Sequence, residues 1–253
     1  MKFLNELQQR NKILYWFGWL NLAAAITCLL MTQVTATTVL GINAWIKPMK
    51  FYFSITIFCW SMGWFMYHLN SRKGARAYSL MVVIVFIFEM SIITWQAANG
   101  RLSHFNISSP LYGMLFNLMG IAITILCIWT AVIGYRFFKQ KQFNAPMAYI
   151  WGIRLGILLL VIFSFEGAFM AVKLSHTVGG EQGGPGLPVV NWSKQYGDLR
   201  IAHFFGMHAL QLLPLLGYFV LKTKQQIIGF AILYFLAVMA LFLQAMKGVP
   251  LFS

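Results

Sequence analysis

Charge is what this sequence has least of. Only 9% of its 253 residues are charged, and the acids number five against 19 Lys and Arg. A soluble globular domain carries about a quarter charged residues, so the composition excludes that class. The three cysteines, Cys28, Cys59 and Cys127, all fall inside apolar segments with no pairing pattern, which excludes a disulfide framework and points to buried thiols. No contiguous basic patch with interleaved aromatics exists, so the net charge of +14 does not imply a nucleic-acid partner.

What is present is hydrophobic length. Crossing a bilayer core takes about 20 apolar residues. The segments 13–32, 49–69, 78–98, 112–135, 148–172, 201–221 and 227–247 meet that need. The chain therefore reads as all-α, a polytopic membrane protein forming a seven-transmembrane-helix bundle, with the lipid bilayer as its first partner. Residues 1–253 read as a single integral membrane domain, with no convincing internal repeat. The first apolar run has no small-residue cleavage site after it and is expected to stay as a signal anchor.

Basic residues fix the expected orientation. Twelve Lys and Arg (2, 10, 12, 72, 73, 76, 136, 139, 141, 154, 222 and 224) lie at one face. Seven (47, 50, 101, 173, 194, 200 and 247) lie at the other. The richer, short-loop face is expected in the cytoplasm, with the N-terminus inside and the C-terminus outside, in the cytoplasmic membrane. Residues 173–200, rich in Gly and Pro, then form a cap loop on the outer side.

Polar groups inside the spans are the functional signal, because ionisable residues are expensive in a membrane and usually face a wet cavity. Glu89 and Gln96 are seven residues apart on one helix face, next to Trp95. Glu166 and Lys173 share a face of the fifth span. In the sixth, Arg200, His203, Met207, His208 and Gln211 fall on one side at 100° per residue, the side expected to turn into the bundle. His104 and His176 stand in the outer loops. Four of the five histidines and four of the five acids belong to that one half.

These residues are expected to converge on an outward-opening pocket. Neutral imidazole is the commonest protein metal ligand, so His104, His176, His203 and His208 are the candidate ligands of a divalent metal ion or haem. Glu89, Glu166, Arg200 and Gln211 are the candidate catalytic groups of an oxidoreductase or metal-dependent site. Trp95, Gln96, Lys173 and Met207 would line the cofactor. The competing expectation is a carrier, channel or receptor for a small polar or anionic ligand, with the acids and His208 relaying protons.

Overall fold

A computed structural model describes residues 2–252. Eight helices make up most of it: α1 (Lys2–Arg10), α2 (Lys12–Val34), α3 (Ile46–Phe65), α4 (Arg72–Ala98), α5 (Pro110–Lys139), α6 (Met147–Val172), α7 (Leu199–Phe219) and α8 (Lys224–Met246). Four two-residue strands complete it: β1 (Thr38–Val39), β2 (Ile42–Asn43), β3 (Thr177–Val178) and β4 (Gly197–Asp198). Six of the described helices are long and apolar enough to cross a membrane: α2, α4, α5, α6, α7 and α8. Large apolar side chains such as Leu20, Ile84, Ile121, Leu158 and Leu233 stay exposed on five of them, as lipid-facing positions do. Of the seven segments expected to span, α3 is the one whose composition falls short, with Lys47 and Lys50 in its first turns.

The chain divides into two compact units, 1–126 and 127–253, the boundary falling within α5. In the first, α2 leads through the β1–β2 hairpin into α3, and a short link (a 3-10 turn at Met66–His68) leads into α4. In the second, α6 leads through the β3–β4 pair into α7, and a short link leads into α8. The detail repeats as well. Thr38 pairs with Asn43 and Val39 with Ile42; Thr177 pairs with Asp198 and Val178 with Gly197. The Ala44 N–H donates to the Thr37 carbonyl at 2.9 Å, and the Leu199 N–H to the His176 carbonyl at 3.0 Å. Asn43 Oδ1 accepts from the Trp45 N–H at 3.0 Å, and Asp198 Oδ1 from the Arg200 N–H at 3.1 Å.

The matching helices α4 and α8 end alike. Gln96-Ala97-Ala98-Asn99-Gly100 and Gln244-Ala245-Met246-Lys247-Gly248 both stop on a glycine in the left-handed region, at φ 64° and 76°. Arg101 N–H returns to the Gln96 carbonyl and Val249 N–H to the Gln244 carbonyl, the bonds of a Schellman cap. Gly100 then lies against Thr37, and Gly248 against Val178. No repeat is convincing in the sequence; the structure contains one.

Small residues decide the tightest packing. In the second unit α6 and α7 run antiparallel with glycines along their seam. A Cβ on Gly152 would stand 2.5 Å from the Leu213 carbonyl oxygen, and one on Gly217 2.5 Å from that of Ala148. Without a hydrophobic drive between helices in lipid, such close backbone approach is what holds a pair. Leu159, Phe163, Ala202, Ala209 and Leu213 fill the core around it, with Ile227, Ala231 and Val238 from α8. In the first unit Gly18 of α2 lies under the Trp60 indole of α3, and Thr56 Oγ1 donates to the Gly18 carbonyl at 3.2 Å.

Candidate functional site

The structure turns α7 the other way from the expectation within its unit. The buried face is Ala202, Gly206, Ala209, Leu210, Leu213 and Gly217, the side assigned to lipid from the helical wheel. Arg200, Met207, His208 and Gln211 lie on the partly exposed side. The reason is steric. The small residues let α7 close on α6, and that contact outweighs the polarity of the opposite face. His203 sits at the border between the two faces. Its Nδ1–H donates to the Phe163 carbonyl at 2.7 Å, which leaves Nε2 with the ring's lone pair in the neutral form. The ring lies against Gly167, whose missing side chain makes its space: a Cβ there would be 3.2 Å from His203 Cε1.

Glu166 is next to that glycine in α6. It is 8% exposed, and neither carboxyl oxygen has a hydrogen-bond partner among the described residues. Burying a polar group unpaired costs several kcal/mol in hydrocarbon, so an orphaned carboxyl at this depth calls for a functional explanation. The first unit holds a second case. Glu89 (3% exposed) and Gln96 (1%) sit two turns apart on the buried side of α4, and Glu89 Oε1 and Gln96 Oε1 are both unpartnered. Each unit thus carries one intramembrane acid.

The remaining candidates occupy other settings. His208 Nδ1 is 3.2 Å from Gln211 Oε1, and its ring packs on Phe204 with 4.3 Å between centroids. His176 Nδ1 lies 3.9 Å from Asp198 Oδ1. Asp198 itself is a structural hub missing from the expected site: it bonds the Arg200 side chain and backbone and the Ser193 N–H. Arg200 is thereby fixed as the partner of Asp198. Lys173 is exposed at the end of α6 with its Nζ over the Phe169 ring, and Trp95 is 43% exposed beside Tyr112. Arg154, a rare cation within a span, donates Nε to the Phe137 carbonyl and Nη2 to that of Gln140. It caps the end of α5.

The four histidines are not gathered into one ligand set. Among the described residues no three His, Cys, Asp or Glu side chains come together in a way that could hold a metal ion. Spacing along a sequence carries no information on such convergence, and the metal expectation has no cluster of ligands behind it among the described residues. Cys28, Cys59 and Cys127 are free and buried, as expected.

His104 has its own chemistry. It lies between Phe51, Phe105 and Phe116. Burial, aided by the nearby Lys47 charge, holds its imidazole well below the usual histidine range. The unfolded chain therefore binds a proton near pH 6.5 that the folded chain refuses. Its contribution is complete above about pH 6.5 and is lost progressively as pH falls. Melting temperatures in detergent from pH 8 to pH 5 should fall for the natural chain and fall less for His104→Gln.

No protein-family model, curated protein or solved structure matches this chain.

Proposed function

We propose that this is a proton-coupled carrier of a small polar solute, working in the cytoplasmic membrane. The carrying observation is Glu166: both carboxyl oxygens are buried without a partner inside a membrane helix. Such a group is relieved by taking up a proton or by accepting from a donor, and a donor arriving with a ligand would serve. His203 stands across Gly167 from the same turn, held by Phe163 so that Nε2 is left to accept or pass a proton. Glu89 and Gln96 supply a polar pair in the first unit, on α4 rather than on the helix that matches α6, and His208 with Gln211 a further one.

The repeated unit supports this reading, since many carriers are built from internal structural repeats. It also favours seven crossings over six. The place of α3 in its unit is that of α7 in the other, so α3 crosses despite its two lysines. The N-terminus then lies inside, while the β1–β2 hairpin and residues 173–200 lie outside, as the Lys and Arg asymmetry directs. The metal or haem reading takes second place because, among the described residues, no three His, Cys, Asp or Glu side chains gather as a metal site would need.

Liposomes reconstituted with the pure protein and loaded with a pH-reporting dye provide the test. Addition of a transported solute, found by screening amines, amino acids and small carboxylates, should evoke proton movement. Glu166→Gln should abolish it, and Glu89→Gln should alter its pH dependence. Solute-evoked proton movement identical to the natural chain's in both variants overturns the reading.

A further inference from the structure

The two hairpins differ at one place. Leu40 and Gly41, both at positive φ (50° and 76°), make the two-residue turn between β1 and β2. Between β3 and β4 the same position holds residues 179–196. The flanking register and bonds match in both copies, so these residues stand as an addition to one of them.

The added segment has internal order. Gly186 bridges Ser193, the Leu187 N–H donates to the Trp192 carbonyl, and the Asn191 N–H donates to that of Leu187. Two different fastenings hold it. The first is its root at Asp198. The residue at that hairpin position in the first copy is Asn43, whose Nδ2 donates to the Thr32 and Thr35 carbonyls at the end of α2. A carboxylate has no proton to donate. Asp198 instead accepts the Ser193 N–H and holds Arg200, whose guanidinium donates to the Asn191 carbonyl. The exchange of Asn for Asp thus coincides with the presence of the extra segment.

The second fastening is apolar. Trp192 packs on Phe204 and Phe205 at 5.6 and 6.0 Å between centroids. Phe204 in turn covers the His208 ring, and His203 is its chain neighbour. Glycines at positive φ, Gly179, Gly183 and Gly184, stand where the segment leaves β3. Such positions absorb backbone rotation at low cost.

We propose that residues 179–196 are an insertion into the second copy of a repeated hairpin and act as a lid over the start of α7. Trp192 is its latch and Asp198–Arg200 its fixed root. Opening turns the Trp192 side chain off Phe204 and Phe205 between its held neighbours Asn191 and Ser193, and admits solute-sized molecules to the helix turn carrying Phe204 and His208.

The experiment uses the full chain with His208→Cys as a reporter, beneath the Phe204 ring that Trp192 covers, read by the rate of reaction with a membrane-impermeant thiol reagent. Cys28, Cys59 and Cys127 are buried and give an unreactive background. In this background residues 179–196 are replaced by Leu-Gly, the turn of the first copy; Trp192→Ala is made separately. The shortened chain should remain monodisperse, melt cooperatively and label about tenfold faster, the fold-change matching loss of one aromatic latch. Trp192→Ala should also label faster with its fold intact. A shortened chain that does not fold overturns the insertion. Unchanged labelling of Trp192→Ala, or of a folded shortened chain, overturns the lid. The readout requires no transport and stands apart from the fate of the carrier reading.

Discussion

Gly152→Leu is expected to destabilise the protein by about 3 kcal/mol or more, the upper end of the usual overpacking cost. The new Cβ would meet the Leu213 carbonyl oxygen at 2.5 Å, with the Pro214 Cα at 2.8 Å just behind. Both obstacles are backbone, so no rotamer change relieves the clash and α6 and α7 must separate. Separation would strip packing from Ala209 and Leu213 and would lengthen the bond from His203 to Phe163. Gly120→Leu is the control. It lies on α5 with open space around it, and its effect should stay within about 0.5 kcal/mol, as surface substitutions do. Thermal melting of the two variants in one detergent separates the outcomes. Equal melting temperatures would show that α6 and α7 do not meet through their glycines.

Asp198→Ala is the second substitution with a large expected effect, about 3 kcal/mol. The side chain is 1% exposed and takes the Ser193 N–H at 2.9 Å, Arg200 Nε at 2.9 Å and Arg200 Nη2 at 2.6 Å. It also caps α7, where a negative charge meets the positive end of the helix dipole. Alanine leaves Arg200 without its counter-charge and the Ser193 N–H without an acceptor. Asn should recover part of the loss by keeping one acceptor. Burial alone would push the Asp198 carboxyl up, but the Arg200 bonds and charge, His176 and the Ser193 N–H together hold it below the ordinary range. The stabilisation is therefore present above about pH 3.9 and is lost as pH falls below it. The gap in melting temperature between Asp198→Ala and the natural chain should close at strongly acidic pH. A gap that is the same at every pH would show that the charge contributes nothing.

The helices were the legible part of the sequence. Apolar length alone placed 148–172 against the observed Met147–Val172, and 112–135 against Pro110–Lys139. Hydrophobic run length is a local property, and a membrane span is set by little else. Three things were not local. The direction of α7 followed from Gly206, Ala209 and Gly217 fitting another helix, while the wheel registered only Arg200, His208 and Gln211. The repeat was hidden because residues 179–196 break the spacing between copies. Aligned stretches keep only scattered identities, such as Tyr15-Trp16-Phe17-Gly18 beside Tyr149-Ile150-Trp151-Gly152. The grouping of side chains depended on which helices pair. Glu89 and Glu166 stand out in the sequence as acids within apolar segments, but their lack of partners could be seen only in three dimensions.

The helix-ending glycines have a consequence for how the chain is made. Gly100 rests on Thr37, so the contact that ties α4 back to the α2–α3 hairpin needs nothing beyond residue 101. The first bundle can fasten its own ends while the ribosome is still reading α5. Gly248 against Val178 does the same for the second bundle, but only once α6, α7 and α8 have all been made. A defect at Gly100 would burden the insertion machinery before α5 to α8 are made; one at Gly248 would act only after all three helices of its own bundle are in place.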